Sequence, residues 1–294
     1  MRADYDAKIA VHYDQVAADC GLSPHSTMAD EIIRQKETSV IVAFVGHALR
    51  EWAAQTDAAG RPARTGAATV LDVGCGNGYT LKTLAGALPA GSYLGVEQNG
   101  KLRELAQQQA AGHGNIRVLP GDLRVRTSLG LPDESVDILI CQRVLINLLS
   151  EADAKSALDN IVALVRPQGR LLFIESFAAA LLRLNEARAE FGLSPIPPAH
   201  HNRYLEEDFF SHPRLQPCAS EPPVARNALS THYYVTRVLH SALSNAVHSE
   251  LKRNSHFVKF LSSALPDGVG DYAPLQFHFF VKRGTDVPVG LRNA

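Results

Sequence analysis

Three carboxylates at the ends of apolar runs offer the clearest chemistry in this sequence. Asp72, Glu97 and Asp122 follow the runs "TVL", "YLGV" and "RVLPG", and Asp72 opens a loop with glycine at alternate positions over residues 74–78. Glycines lack a β-carbon, so a ligand can lie directly against the backbone of such a loop. The acidic residue before the glycines suits a cationic ligand group, such as an ammonium, better than a pyrophosphate.

Two common nucleotide loops do not fit this stretch. A P-loop needs GxxxxGK[ST], which the sequence lacks, and a GxGxxG dinucleotide fingerprint would need glycine where Tyr79 stands. Glu97 can accept hydrogen bonds from both ribose hydroxyls, and Asp122 can accept one from an exocyclic amine. Together the three carboxylates indicate an adenosine that carries an amino-acid tail.

The elements around these residues alternate between strand and helix. Apolar strands are predicted at "TVLDVGC", "SYLGVEQN", "NIRVLPGD", "VDILICQRVL" and "GRLLFIES", with helical patterns between them. Such alternation predicts a parallel sheet with helices on both faces. Ligands of an open parallel sheet bind beyond the carboxyl ends of its strands, which is where the carboxylates fall.

Outside this region the pattern is looser. Residues 1–66 read as helical and 56–68 as a linker, while residues 205–212 favour a short helix and 214–220 a weak sixth strand. A long helix is predicted from Ser230, and "PLQFHFFVKRG" closes the chain as a last strand.

The segments "VLDVGCGNG", "GVEQN", "LPGD" and "LPDESVDILICQRVLINL" followed by "LVRPQGRLLFIE" resemble the class I S-adenosylmethionine-dependent methyltransferases over about residues 66–176. The resemblance implies an α/β, Rossmann-like doubly wound sheet of seven strands with the last antiparallel, and S-adenosyl-L-methionine as the cofactor. It implies that Asp72 and the glycine loop meet the methionine part, Glu97 the ribose and Asp122 the adenine amine. The cofactor-binding residues expected on this basis are Asp72, Gly74, Gly76, Asn77, Glu97, Gln98, Asp122, Leu123 and Gln142.

The predicted domain plan places a helical N-terminal cap at 1–66 before a methyltransferase domain at 67–294. Helical insertions at about 177–205 and 226–265 are expected to cover the substrate. The stretch "TDAAGRPARTGAA" is the linker between cap and domain.

Four residues are candidates for catalysis: Arg143, Asn147, His201 and Tyr204. The planar guanidinium of Arg143 could face a carboxylate of the cofactor or substrate, or it could only cap the strand. Asn147 could cap a helix instead, and His201 and Tyr204 could be loop packing. The adjacent histidines His200 and His201 have no third ligand nearby in the sequence, so no metal site is predicted.

Composition limits the partners. The net charge of −1 and the lack of a basic stripe argue against nucleic acid, and no apolar run is long enough for a membrane span or a signal peptide. Four cysteines without a CxxC pair favour a cytoplasmic protein.

The expected function is methyl transfer to a small molecule in a bacterial biosynthetic pathway, with a homodimer as a possible assembly. One alternative is intramolecular cyclisation of S-adenosylmethionine to a cyclic amino acid and methylthioadenosine. The other is a non-catalytic cofactor-binding module.

Overall fold

A computed structural model describes residues 2–24, 26, 28–55, 66–250, 252 and 254–284. Most of the predicted linker 56–68 therefore lies outside the described residues. The strands are β1 (Thr69–Val73), β2 (Ser92–Glu97), β3 (Ile116–Pro120), β4 (Val136–Gln142), β5 (Val165–Ser176), β6 (Leu215–Pro217) and β7 (Leu275–Lys282). The helices are α1 (Arg2–Cys20), α2 (Glu31–Ala54), α3 (Tyr79–Ala87), α4 (Gly100–Ala110), α5 (Glu151–Leu164), α6 (Ala178–Ala189), α7 (Ser230–Tyr234), α8 (His240–Ala246) and α9 (His256–Ala264).

The strands form one sheet of seven in the order β3-β2-β1-β4-β5-β7-β6. Strands β1 to β5 pair in parallel, whereas β7 runs antiparallel to both β5 and β6. The predicted Rossmann-like sheet with an antiparallel last strand is thus confirmed. Strand order reverses between β1 and β4, and a crevice at such a switch point is where this architecture binds ligands.

Neighbouring residues of the central strands enter two separate cores, as the period of two in a strand requires. Leu71, Leu139 and Phe173 belong to a cluster that packs against α5. Val70, Ile138 and Leu172 belong to another, which includes residues of α2, α3 and α4. Helices therefore cover both faces, and α2 of the N-terminal region is built into the second core.

The short helix predicted at 205–212 is wrong. Leu205 forms an isolated parallel bridge with Phe177, and residues 207–210 form turns. Phe209 and Phe210 are both buried in the cluster under α5. Adjacent aromatic residues that both face the core do not match a helical stripe, so packing overrides the local helical pattern.

The long helix predicted from Ser230 changes its winding part-way. α7 passes through a π-helical turn (Val235–Leu239) into α8. A π turn leaves backbone carbonyls without their usual partners. The guanidinium of Arg188, from α6, donates to the carbonyl of Arg237 and satisfies one of them.

Among the residues that the structure describes, no helix combines the length and the apolarity needed to cross a membrane.

Candidate active site

A cavity of about 960 Å³ lies beyond the carboxyl ends of β1 to β4. Its lining includes all nine residues expected to bind the cofactor, and Arg143, Asn147 and His201 as well. Tyr204 is not part of that lining. It packs instead beside the apolar cluster formed by Leu181, Leu184 and Val238, so the structure does not bring it to the other candidates.

The glycine loop after β1 is shaped by left-handed backbone. Gly76 has a φ of +57° and Gly78 a φ of +81°, a region that side chains with a β-carbon rarely adopt. A β-carbon on Gly78 would lie 2.8 Å from the Cα of Ala106, so glycine here also lets α3 and α4 pack closely. A β-carbon on Gly76 would meet no atom within 4 Å, and this glycine lines the cavity.

Two of the carboxylates are buried beneath this loop. Burial, together with the charge of Glu97, raises the pKa of Asp72 to about 8. Burial also raises the pKa of Glu97, although its carboxylate accepts hydrogen bonds from the amides of Gly76 at 2.9 Å and Asn99 at 2.8 Å. Two buried acids that oppose each other's ionisation form a pair that a cationic ligand would stabilise.

The third carboxylate already has a strong partner within the protein. The guanidinium of Arg124 donates to both oxygens of Asp122, with a shortest distance of 2.7 Å, and also to Asp6 of α1 at 2.6 Å. The side chain of Gln98 donates to Asp122 at 3.2 Å. An adenine amine would join this network, and its contact with Asp122 stays a prediction.

Asn77 connects the loop to the N-terminal region. Its amide donates to the carbonyls of Gly21 at 2.9 Å and Ser23 at 3.0 Å, both just after α1. In this structure the side chain of Asn77 therefore holds the cap, and its contact with the cofactor stays a prediction.

Arg143 has an anionic partner inside the protein that its local sequence does not reveal. Its guanidinium donates to the carboxylate of Glu37, a fully buried residue of α2. A buried guanidinium needs an anion close to it, and a carboxylate of the ligand was expected to fill that role for Arg143. Glu37 is such an anion, so Arg143 does not require one from a ligand. Arg143 directly follows β4, has a φ of +55° and lines the cavity.

A buried glutamate that the sequence analysis missed fixes the turn after β4. Glu175 of β5 accepts hydrogen bonds from the amides of Val144 at 2.9 Å, Leu145 at 3.0 Å and Ile146 at 3.3 Å. Burial raises the pKa of this carboxyl to about 7 despite these donors. Glu175 therefore positions the turn that carries Arg143 and Asn147 without lining the cavity itself.

Asn147 connects this turn to the roof of the cavity. Its amide donates to the phenol oxygen of Tyr13 in α1 at 2.7 Å and to the carbonyl of Arg143 at 2.8 Å. The hydroxyl of Tyr5, also in α1, donates to the carbonyl of Asn147.

The two insertions differ in their relation to the cavity. His201 and Asn202, from the first, belong to the lining, but none of the described residues of 226–265 does. The second insertion packs on α2: His232 bonds Asp30 at 3.0 Å and Lys259 pairs with Glu31 at 2.9 Å. The second insertion was predicted to cover the substrate. Its described residues do not reach the cavity, and they can affect it only through their contacts at the start of α2.

Three histidines come together at the edge of the cavity. The ring of His12, from α1, stacks on that of His201 with centroids 3.9 Å apart, and His200 lies edge-on to both. In the sequence His12 is almost 190 residues from the pair, so only the fold brings the three histidines together.

The cavity lining includes buried polar atoms that have no hydrogen-bond partner among the residues that the structure describes. The amide nitrogen of Gln142 and the side-chain oxygen of Asn147 are buried without a hydrogen bond. Buried polar atoms in native proteins are normally paired, so these atoms are suited to contacts with a polar ligand.

Residues 70–169 match the family described as "Methyltransferase domain". These residues form a class I S-adenosylmethionine-dependent methyltransferase domain. The cofactor of this domain is accordingly S-adenosylmethionine. The buried carboxylates, glycine loop and unpartnered amides described above fit this cationic nucleoside.

Solved structures agree with this fold. Phosphoethanolamine N-methyltransferase 1 of Haemonchus contortus is 14% identical, with a TM-score of 0.51; the match covers 99% of this chain and 51% of that one. A putative methyltransferase of Haloferax volcanii, solved with its Trm112 activator, is 14% identical over 87% of this chain and 96% of that one, with a TM-score of 0.48. N-methyltransferase NodS of Bradyrhizobium japonicum is 16% identical over 60% and 76%, with a TM-score of 0.45. At 14% identity, the similarity to the Haemonchus contortus enzyme shows the fold alone.

No curated protein matches the sequence significantly.

Proposed function

We propose that this methyltransferase acts on a small-molecule acceptor that binds beside the cofactor under α1. The observation that carries this proposal is that one cavity is lined by two chemically different sets of residues. Asp72, Glu97 and the glycine loop form one set, and Arg143, Asn147 and His201 form the other. Ligand cavities commonly span ~300–1,000 Å³, so about 960 Å³ leaves room for a second small molecule beside the cofactor.

We assign the cofactor's contacts by the chemistry of the lining. Asp72 would face the ammonium group, Glu97 the ribose hydroxyls and Gln142 the methionine part. The sulfonium supplies an already activated methyl group, so the main task of the protein is to align the acceptor with it. Arg143, held by Glu37, and Asn147, held by Tyr13, are the groups we propose to orient the acceptor.

The roof supports a small acceptor over a macromolecular one. Seven residues of α1 from Tyr5 to Asp14 line the cavity together with the turn after β4. A side chain or nucleotide still attached to a macromolecule would have to pass this helix.

Incubation with S-adenosylmethionine, followed by mass spectrometry, tests the proposal. The purified chain is assayed alone and with a panel of small amines, phenols, thiols and carboxylic acids. We expect S-adenosylhomocysteine and a methylated compound only when an acceptor is present. Methylthioadenosine without an acceptor would establish the cyclisation instead, and cofactor binding without any product across the panel would favour the non-catalytic module.

Two variants make the assay specific to the cavity. Glu97→Ala should weaken cofactor binding by at least about tenfold, because a hydrogen bond to a charged group contributes roughly 1.5–3 kcal/mol. His256→Ala alters an exposed histidine outside the cavity lining and should leave product formation unchanged. Wild-type binding in Glu97→Ala would remove the ribose assignment.

A cytoplasmic, biosynthetic setting is part of the proposal. Its support is that Cys20, Cys75, Cys141 and Cys218 are all free thiols. The bacterial pathway and the homodimer stay predictions.

A further inference from the structure

The histidine cluster at the cavity edge has the composition of a metal site. His12, His200 and His201 each offer a ring nitrogen, and these nitrogens all lie within 4.8 Å of one another. Three imidazoles are the protein ligands of one well-known class of zinc site, which keeps a further position open for water or substrate.

The local structure explains how two adjacent residues can contribute together. The amide of Asn202 donates to the carbonyl of Ala199 at 2.8 Å, which makes His200 and His201 the central residues of a turn. This turn holds their rings 5.0 Å apart. The amide of Arg203 donates to the carbonyl of Ile146 at 2.6 Å and fixes the turn beside the cavity wall.

The ring of His201 has a nitrogen available for ligation. The Nδ1 atom of His201 is buried and has no hydrogen-bond partner in the described part of the chain.

We propose that His12, His200 and His201 bind one divalent transition-metal ion, with Zn²⁺ the best match, and so fasten α1 to the 199–202 turn. Zn–N bonds of about 2.0–2.1 Å in a tetrahedral site place the nitrogens roughly 3.4 Å apart. The stacked rings of His12 and His201 must therefore splay by rotation about their side-chain torsions. His12 and His201 line the cavity whereas His200 is exposed, so the ion lies at the cavity rim, with its open position available to the cavity.

Metal binding is measured on the full chain, freed of any histidine tag. Calorimetry with Zn²⁺ should show one ion bound with a Kd tighter than about 10 µM. Co²⁺ should give the visible d–d absorption of a four- or five-coordinate site. X-ray absorption of the zinc form should show three imidazole ligands at about 2.0–2.1 Å.

Single variants connect the ion to these residues. His12→Ala, His200→Ala and His201→Ala should each weaken Zn²⁺ binding by about a hundredfold or more, since even second-shell losses at metal sites cost 10–100-fold. His256→Ala, an exposed histidine of α9, is the matched control and should bind as the wild type does. His200→Ala is the decisive variant, because an exposed side chain is replaceable without loss of the fold.

Amide exchange tests whether the ion fastens α1. Zn²⁺ should slow exchange in α1 in the wild type and have no such effect in His200→Ala. The proposal is overturned if the wild type binds no Zn²⁺ in this range, or if the three variants bind it as tightly as the control does. It is equally overturned if X-ray absorption shows no imidazole at the ion.

Discussion

At the scale of single residues, the site is dominated by carboxyls held away from water. The pKa of Asp72 is raised to about 8 by burial and by Glu97, so below that pH the carboxyl is mostly protonated. A neutral carboxyl attracts an ammonium group weakly. The arrival of a cationic ligand at Asp72 should therefore ionise the carboxyl and release a proton.

This predicts a pH dependence that is unusual for a carboxylate site. The affinity for S-adenosylhomocysteine should rise between pH 6 and 8, by up to about tenfold per unit, because ionised Asp72 becomes easier to form. Calorimetry in buffers of different ionisation enthalpy should detect the released proton at pH 7. Asp72→Asn should bind more weakly with little pH dependence. The same pH slope in that variant would mean that another group takes up the proton.

At the scale of elements, α1 roofs the cavity with almost no core of its own. Of its side chains that the structure describes, only Ala17 is buried. Polar contacts hold it: Asp14 bonds Asn99 at 2.7 Å and Lys101 at 2.9 Å, in addition to the Tyr13 and Asp6 contacts. Helices with few buried apolar contacts open at low free energy.

We therefore expect α1 to be the mobile roof of the cavity. Its amides should exchange faster in the free chain than with S-adenosylhomocysteine bound, as measured by hydrogen exchange and mass spectrometry. Tyr13→Phe removes the phenol oxygen that accepts from Asn147 and should speed exchange in α1 about two- to tenfold, the effect of a net hydrogen bond of 0.5–1.5 kcal/mol. Peptides from α9, which touch no part of the cavity, should not respond. Equal protection of α1 with and without ligand would identify a rigid roof.

At the scale of the whole molecule, one buried carboxylate joins the N-terminal helices to the C-terminal insertion. Asp30 caps α2 through the amide of Ile33 and also binds His232 at 3.0 Å and Arg237 at 3.2 Å. Burial opposes its ionisation, but the hydrogen bond and charge of His232 and the charge of Arg237 bring its pKa down to about 2.

Asp30→Asn separates pairing from capping, because asparagine is an equally good N-cap. Loss of the anionic partner of Arg237 and His232 should lower the free energy of unfolding by roughly 2–4 kcal/mol near neutral pH. A lowered pKa gives stability that is present above the unfolded value near 3.9 and is lost as pH falls. The difference in the free energy of unfolding between wild type and variant, measured by urea unfolding, should thus stay constant from pH 7 to 5. It should disappear between about pH 4 and 2. A difference in unfolding free energy that does not change with pH would mean that the substitution destabilises the protein through packing.

The parts of this protein that sequence could predict are those encoded in adjacent residues. Adjacent apolar residues predict strands that are buried on both faces, as at Val70 and Leu71 or at Ile138 and Leu139. The carboxylates that follow such strands indicate the edge of the sheet where a ligand binds. In the sequence Glu175 is only one more residue of a predicted strand. The hydrogen bonds that it accepts from three backbone amides after β4 cannot be predicted from that pattern.

Other parts depend on segments that meet only in the folded chain. Glu37 and His12 lie on helices whose approach to β4 and to the 199–202 turn cannot be deduced from local pattern. Tyr204 illustrates the converse, because its place in the sequence suggested the cavity while its packing assigns it to the cluster against α6.

The π-helical turn at Val235–Leu239 has a consequence for aligning this chain with others. A π turn amounts to one extra residue inside a helix, and each residue of an α-helix advances the face by about 100°. Before the turn His232 faces Asp30, and near the end of the turn Val238 packs against α6. Deleting one residue here would rotate the following residues to another face of the helix. The guanidinium of Arg188 would then lose its acceptor, the carbonyl of Arg237. A single-residue gap at 235–239 in an alignment would therefore mark a real change of structure, accompanied by loss of the arginine at position 188.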